Sequence, residues 1–192
     1  MILKLMPCDH LVMDAYMDSD FMGLFGKENP VDPTSAKSRT GYVICINGFL
    51  IIWSSKLQDG VALSTMMAEY YALSTAMRDV LPLRDLAKGV AKGMGILQDC
   101  LTDFKTTMWE DNNGALSLAN LKPGQHTPRS RFYQARVHWF HSFITREGEN
   151  DTNSTDGIFV KKINAKLQLA DLFTKPLSKE LFELLRKLLI GW

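Results

Sequence analysis

Two apolar, β-branched runs, residues 41–46 and 49–54, are separated only by Asn47-Gly48. A two-residue Asn-Gly connection is a strong hairpin signal, because both turn positions need a positive φ that Asn and Gly tolerate. An antiparallel pair is therefore fixed early in the chain. The connection after it has to be of another kind. Residues 64–80 carry Met67, Tyr70, Tyr71 and Ser74 at helical spacing, with Ser64 or Thr65 available as N-cap, and a further strand-like run, 104–109, follows. Strand, helix, strand requires a parallel crossover. Only a mixed sheet in an α/β fold accommodates both.

The remaining segments extend this frame. Strands are expected at 12–17, 41–46, 49–54, 104–109 and 157–163, which makes five. Helices are expected at 64–80, from Pro82 to about 93, and at 112–120, 131–146 and 179–189. A short helical stretch, 167–173, is stopped by Pro176. With no internal repeat, residues 12–177 read as one domain. Residues 1–11 form an N-terminal extension, and 178–192 a C-terminal helix packed on the domain or extending it.

Composition narrows the class. Hydrophobic content of 46% and charged content of 22% are ordinary for a globular chain. The longest apolar run, 49–53, is far short of the roughly 20 residues that span a bilayer, so no membrane association is expected. The N-terminal segment lacks a small-residue cleavage site, which argues against a signal peptide. Three cysteines, Cys8, Cys45 and Cys100, are too few and too scattered for a disulfide framework or a zinc site. The net charge is +1, yet residues 122–146 hold five Lys/Arg and three His with no Asp or Glu, interleaved with Phe132, Tyr133, Trp139, Phe140 and Phe143. Such a mixture suits a nucleic-acid face, with cations on phosphates and rings against sugars or bases. An amphipathic helix with core aromatics and solvated cations explains it equally well.

Four carboxylates stand out. Asp18 closes the first strand, Glu69 lies early in the first long helix, Asp111 follows the fourth strand, and Asp171 sits in the short helical stretch. Each has apolar neighbours, where an unpaired charge is costly to desolvate. Clustered carboxylates suit a hard cation such as Mg²⁺. Two ions roughly 4 Å apart can activate water on one side of a phosphodiester and stabilise the leaving oxygen on the other. Spacing alone does not bring the four together, and any one of them could be a cap or a surface charge.

The blocks Tyr16-Met17-Asp18-Ser19-Asp20, Ser38-Arg39-Thr40-Gly41-Tyr42, Ala68-Glu69-Tyr70, Glu110-Asp111-Asn112, Thr127-Pro128-Arg129-Ser130-Arg131, His138-Trp139-Phe140 and Ala170-Asp171-Leu172-Phe173-Thr174-Lys175-Pro176 follow one another in a fixed order. Together they resemble the ribonuclease H domain of copia-type retrotransposon polyproteins, over about residues 12–188. The resemblance implies a ribonuclease H-like fold: three antiparallel strands, then parallel crossovers, flanked by helices. It implies Asp18, Glu69, Asp111 and Asp171 as catalytic ligands of two Mg²⁺ or Mn²⁺ ions, acting on the RNA strand of RNA–DNA hybrids. The partner it implies is the reverse transcriptase domain of the same polyprotein, in the cytoplasm (within a virus-like particle) or the nucleus, and not in a secreted protein.

Residues expected to grip the hybrid are Arg39, Asn112, Arg129, Arg131, Arg136 and Lys175. Two departures from the family pattern are visible: Met67 stands where Glu is usual, and Arg131-Phe132 replaces a commoner Lys-His pair. No His precedes Asp171 within residues 163–170 to serve as a mobile general base. Glu110 is expected to face solvent or to be hydrogen-bonded, and Asp20 to cap the loop after the first strand. His138 and His141 are expected to pack or face phosphate rather than share a metal. An inert or domesticated nucleic-acid-binding remnant is the alternative, which the intact acid set disfavours. A transposase or integrase of the same superfamily would order its acids differently.

Overall fold

In a computed structural model the described residues are 11–27, 31–95, 104–128, 130, 138–146 and 156–192. The strands are β1 (Val12–Asp20), β2 (Arg39–Ile46), β3 (Phe49–Leu57), β4 (Lys105–Glu110) and β5 (Ile158–Lys162), and the helices α1 (Thr65–Gly93), α2 (Asn113–Ala119) and α3 (Lys179–Ile190). Along β1, Met13, Ala15 and Met17 are fully buried and join the core beneath α1 and α2, while Tyr16 packs on the opposite face with Val43, Cys45, Leu185 and Leu189. This period of two gives the sheet a helix layer on each side. Helix α3 covers the second face by burying Leu185 and Leu189, starting from the Ser178 cap and ending at Gly191 with φ 81°.

The sheet order is β3-β2-β1-β4-β5. Pairings β1/β2 and β2/β3 are antiparallel, β1/β4 and β4/β5 parallel, as the hairpin and the crossover require. In the hairpin turn Asn47 and Gly48 have φ of 49° and 79°. Asn47 Oδ1 accepts the Val12 amide at 2.9 Å, which ties the turn to the start of β1.

Three features depart from the sequence expectation. Residues 64–93 form one helix, although Pro82 lacks the N–H that would bond the preceding turn. Both halves bury on the same sheet, Met77 and Val80 before the proline and Arg84 and Ala91 after it. Arg84 also donates to the Phe104 carbonyl at 2.9 Å and pairs with Asp156 at 2.5 Å, so packing overrides the propensity penalty. Residues 138–146 hold a 3-10 turn, Trp139–Phe143, followed by extended Ile144, rather than the end of a long helix. The reason is lateral pairing: the Thr145 amide donates to the Ile158 carbonyl at 2.7 Å, along the edge of β5. Residues 131–137 of that expected helix lie outside the described residues. Finally, β1 runs to Asp20, because β2 begins at Arg39 and pairs Asp18 with Gly41 and Asp20 with Arg39, so Asp18 lies within the strand rather than at its close.

The β1/β4 ladder, by contrast, stops at Tyr16 and Trp109. Past that point the two parallel strands lose their pairing, at the edge where their carboxyl ends emerge. Chain connections leave β1 and β4 in opposite directions here, and such switch points open the crevices in which α/β sheets bind ligands. Among the described residues no helix is long and apolar enough to cross a membrane.

Candidate metal centre

The split between β1 and β4 is held by one side chain. Gln168 is fully buried, and its Nε2 donates to the Met17 carbonyl at 2.9 Å and the Trp109 carbonyl at 3.2 Å. It thereby fastens the segment before Asp171 to Trp109, the last paired residue of β4, and to Met17, one residue past the last paired residue of β1. Asp18 follows on β1 and Asp111 immediately after β4. Asn112 then caps α2, its Oδ1 accepting the amides of Gly114 and Ala115 at 2.9 and 3.1 Å. Glu69 arrives from the other layer. Ser64 caps α1 by accepting the Met67 amide at 3.1 Å. Buried Gln58 donates to Ser19 Oγ, Thr40 Oγ1 and the Ala68 carbonyl, which locks the start of α1 to the ends of β1 and β2.

Carboxylate oxygens of Asp18, Glu69 and Asp111 lie within 4.8 Å of one another. Asp171 stands outside that triad but against Asp18. It is carried by a 3-10 turn, Leu169–Phe173, which lies directly on β2. Gly41, the register partner of Asp18, permits this approach: a Cβ there would fall 2.5 Å from Thr174 Cγ2 and 3.1 Å from the Ala170 carbonyl oxygen. Lys175 Nζ sits 3.2 Å from Asp18 Oδ1 and 3.0 Å from Asp171 Oδ1, and the Thr174 hydroxyl donates to Asp18 Oδ2.

Crowding and burial resist ionisation of Glu69, Asp111 and Asp171. Burial, reinforced by the charges of Asp18, Glu110 and Asp111, pushes the Glu69 carboxyl up to about 10. Asp171 is raised to about 6 by burial and by Asp18, and Asp111 is raised by the same two causes. Burial alone would lower the Lys175 ammonium, but Asp18 and Asp171 outweigh it and push it up.

Glu69 Oε2 is buried and has no hydrogen-bond partner among the described residues. A buried acid edge without a donor, opposite two more carboxylates, matches the need of a hard divalent cation for an all-oxygen shell. The residues present fit Mg²⁺ or Mn²⁺.

Of the two expectations for Glu110, solvent-facing or hydrogen-bonded, the second is met: it is fully buried at the end of β4. Its Oε1 accepts the Asn112 amide at 2.9 Å, whereas Oε2 is unpartnered, and burial is the main cause that raises its pKa to about 8. Asp20 is half-buried against Gly23, where a Cβ would meet Asp20 Oδ2 at 1.6 Å, in keeping with a loop-holding role. Met67, which departs from the family pattern, occupies the third position of α1, two residues before Glu69 and on another side of the helix.

Among the expected grip residues, Arg39 opens β2 opposite Asp20 and donates to Ser55 Oγ at 3.3 Å. Asn112 has its carboxamide oxygen committed to capping α2. Lys175 has its ammonium committed to the acids. Arg129, Arg131 and Arg136 lie outside the described residues. The described end of the basic-aromatic segment packs inward. Phe140 and His141 are buried, and Trp139 Nε1 donates to Ser74 Oγ at 3.1 Å. The Tyr70 hydroxyl bridges His138 Nδ1 at 3.0 Å and His141 Nε2 at 2.6 Å, and burial lowers the His141 pKa to about 4. Arg146 spends its guanidinium on the carbonyls of Asn120, Leu121, His141 and Ile144.

No protein-family model matches the chain. The sequence is 28% identical over 177 residues, 92% of the chain, to the retrovirus-related Pol polyprotein from transposon TNT 1-94 of Nicotiana tabacum. It spans 11% of that polyprotein's length. Over 64 residues, a third of the chain, it is 39% identical to the secreted RxLR effector protein 161 of Plasmopara viticola and covers 39% of that protein. The fold matches LC11-RNase H1, isolated from compost by a metagenomic approach, with a TM-score of 0.50 and 14% identity over 87% of this chain and 94% of that one. The transposon match, at 177 of 192 residues, runs through all four acid-bearing segments. The chain thus has a ribonuclease H-type fold and is similar, over 92% of its length, to a segment of a retrotransposon Pol polyprotein.

Proposed function

We propose that the chain is a divalent-cation-dependent endoribonuclease that cuts the RNA strand of RNA–DNA hybrids during retrotransposon reverse transcription. The observation that carries this reading is the convergence of Asp18, Glu69 and Asp111 at the β1/β4 split, with a buried Glu69 oxygen left without a donor. In this reading those three, with Asp171 beside them, hold two Mg²⁺ or Mn²⁺ ions. Bound there, the ions supply an activated water and charge stabilisation at the leaving oxygen. The protein's own contribution is placement. Gln168 keeps the strand ends at their spacing, Gln58 fixes Glu69 over them, and Gly41 lets the Asp171 turn close the cluster. No histidine lies within residues 163–170, so proton transfer falls to solvent and the acids.

Hybrids are distinguished from B-form DNA by groove shape and 2′-hydroxyls. Arg39, with Arg129, Arg131 and Arg136, is the proposed grip. The reverse transcriptase domain of the same polyprotein is the proposed partner, and the cytoplasm or nucleus the proposed setting. The test is cleavage of an end-labelled RNA–DNA hybrid, alongside double-stranded RNA and DNA, with Mg²⁺, with Mn²⁺ and with chelator. Metal-dependent cleavage of the hybrid's RNA strand alone, lost in Asp111→Asn, is expected. Equal cleavage of all three substrates, or metal-independent cleavage, would overturn the assignment.

A further inference from the structure

Lys175 is, among the described residues, the cation that forms ion pairs with the acids of the cluster. Its Nζ reaches Asp18 Oδ1 at 3.2 Å and Asp171 Oδ1 at 3.0 Å, and the two acceptor side chains are only 1% and 8% exposed. The backbone hooks it there: the amides of Thr174 and Lys175 both donate to the Asp171 carbonyl at 3.3 Å, so the lysine turns back over the acid four residues before it. Asp18 belongs to two groupings at once. With Glu69 and Asp111 it forms the triad able to share an ion, and with Asp171 it forms the pair that Lys175 bridges. The lysine side chain is itself 36% exposed on a flexible four-carbon stem, so it has a path out to water.

We propose that Lys175 is a resident counter-ion that competes with a divalent cation for Asp18 and Asp171, which makes it a positioning residue of the metal centre. An ion held by Asp18, Glu69 and Asp111 leaves the lysine in place. An ion that draws on Asp171 has to displace it. The ammonium therefore keeps the Asp171 side of the site folded and neutralised without metal, and weakens uptake of a second ion. This inference rests on the reading of the acids as metal ligands.

The experiment measures Mn²⁺ binding to the full chain by equilibrium dialysis, together with melting temperature as Mn²⁺ is titrated, for the parent, Lys175→Met and Lys175→Gln. The parent should bind one ion tightly and a second more weakly by roughly tenfold, a modest size for coupling between competing ligands. Both variants should tighten the second ion by a similar factor and should melt lower than the parent in chelator, with the difference closing as Mn²⁺ is added. Lys175→Gln retains a polar side chain and covers the case in which Lys175→Met does not fold without metal. A second ion bound no more tightly in either variant, or variants that melt no lower in chelator, would overturn the proposal while leaving the metal site intact. If the parent and both variants bind no Mn²⁺ and show no melting shift, the ligand reading falls and this inference with it.

Discussion

Glu110→Gln should stabilise the metal-free protein at neutral pH and do nothing for it in acid. Burial is the main cause that raises the Glu110 carboxyl from 4.5 to about 8, so at pH 7 the folded protein holds it protonated while the unfolded chain ionises it. The sign follows from proton linkage. The folded state binds more protons between those two values, so stability falls as pH rises from about 4.5 and levels off above about 8. At pH 7 the protonation cost spans some 2.5 pH units at about 1.4 kcal/mol each, which gives roughly 3.5 kcal/mol as an upper figure. Glutamine keeps the shape and can still accept the Asn112 amide, so the variant escapes this cost. Urea denaturation in chelator, at pH 4.5 and at pH 7, measures it. The expected gain is one to three kcal/mol at pH 7 (an order-of-magnitude range) and close to none at pH 4.5. A gain of equal size at both pH values, or a loss at pH 7, would show that Glu110 is not held protonated and would refute the reasoning. The same linkage applies to Glu69 and Asp171, raised to about 10 and about 6, so the metal-free parent should lose stability steadily from pH 4 upward.

Gly41→Ala should push the Asp171 turn off β2, costing about 1–3 kcal/mol by overpacking and weakening the Mn²⁺-induced melting shift; an unchanged shift would mean that the turn tolerates the methyl. Met67→Glu should close a capping box with Ser64 and raise stability by about 0.5–1 kcal/mol, as read by denaturant midpoint, with Mn²⁺ binding unchanged. Tyr70→Phe should leave His141, buried and without its hydroxyl partner, at a cost of about 1–3 kcal/mol, and thermal melting that matches the parent would contradict the bridge.

The parts of this molecule that could be read from the sequence are those fixed by neighbours in the chain. Asn47-Gly48 dictates its turn through backbone φ, the alternation in β1 names its own two faces, and Ser64 announces a helix start within four residues. The parts that could not be read are set by residues far apart in sequence meeting at one place. Gln168 reads as an ordinary residue of a short helical stretch until Met17 and Trp109, 151 and 59 positions away, present their carbonyls to it. Glu110 reads as an acid that either faces solvent or is hydrogen-bonded, because alternation along a strand assigns it a face but not what covers that face. Lys175 reads as a cation for phosphate, since nothing local reveals that Asp18 lies 3.2 Å from its ammonium. Continuity of α1 through Pro82 is of the same kind, a local penalty overridden by Arg84 and its distant partners. The four acids stand out by position in the sequence, but that they belong to one site is implied only by the resemblance, because convergence is a property of the sheet order. Once β1 and β4 are adjacent, parallel and unpaired beyond Tyr16 and Trp109, Asp18 and Asp111 have to face each other across the gap. An acid on the helix that crosses above and another on the turn pressed against Gly41 then complete a cluster that no single segment specifies.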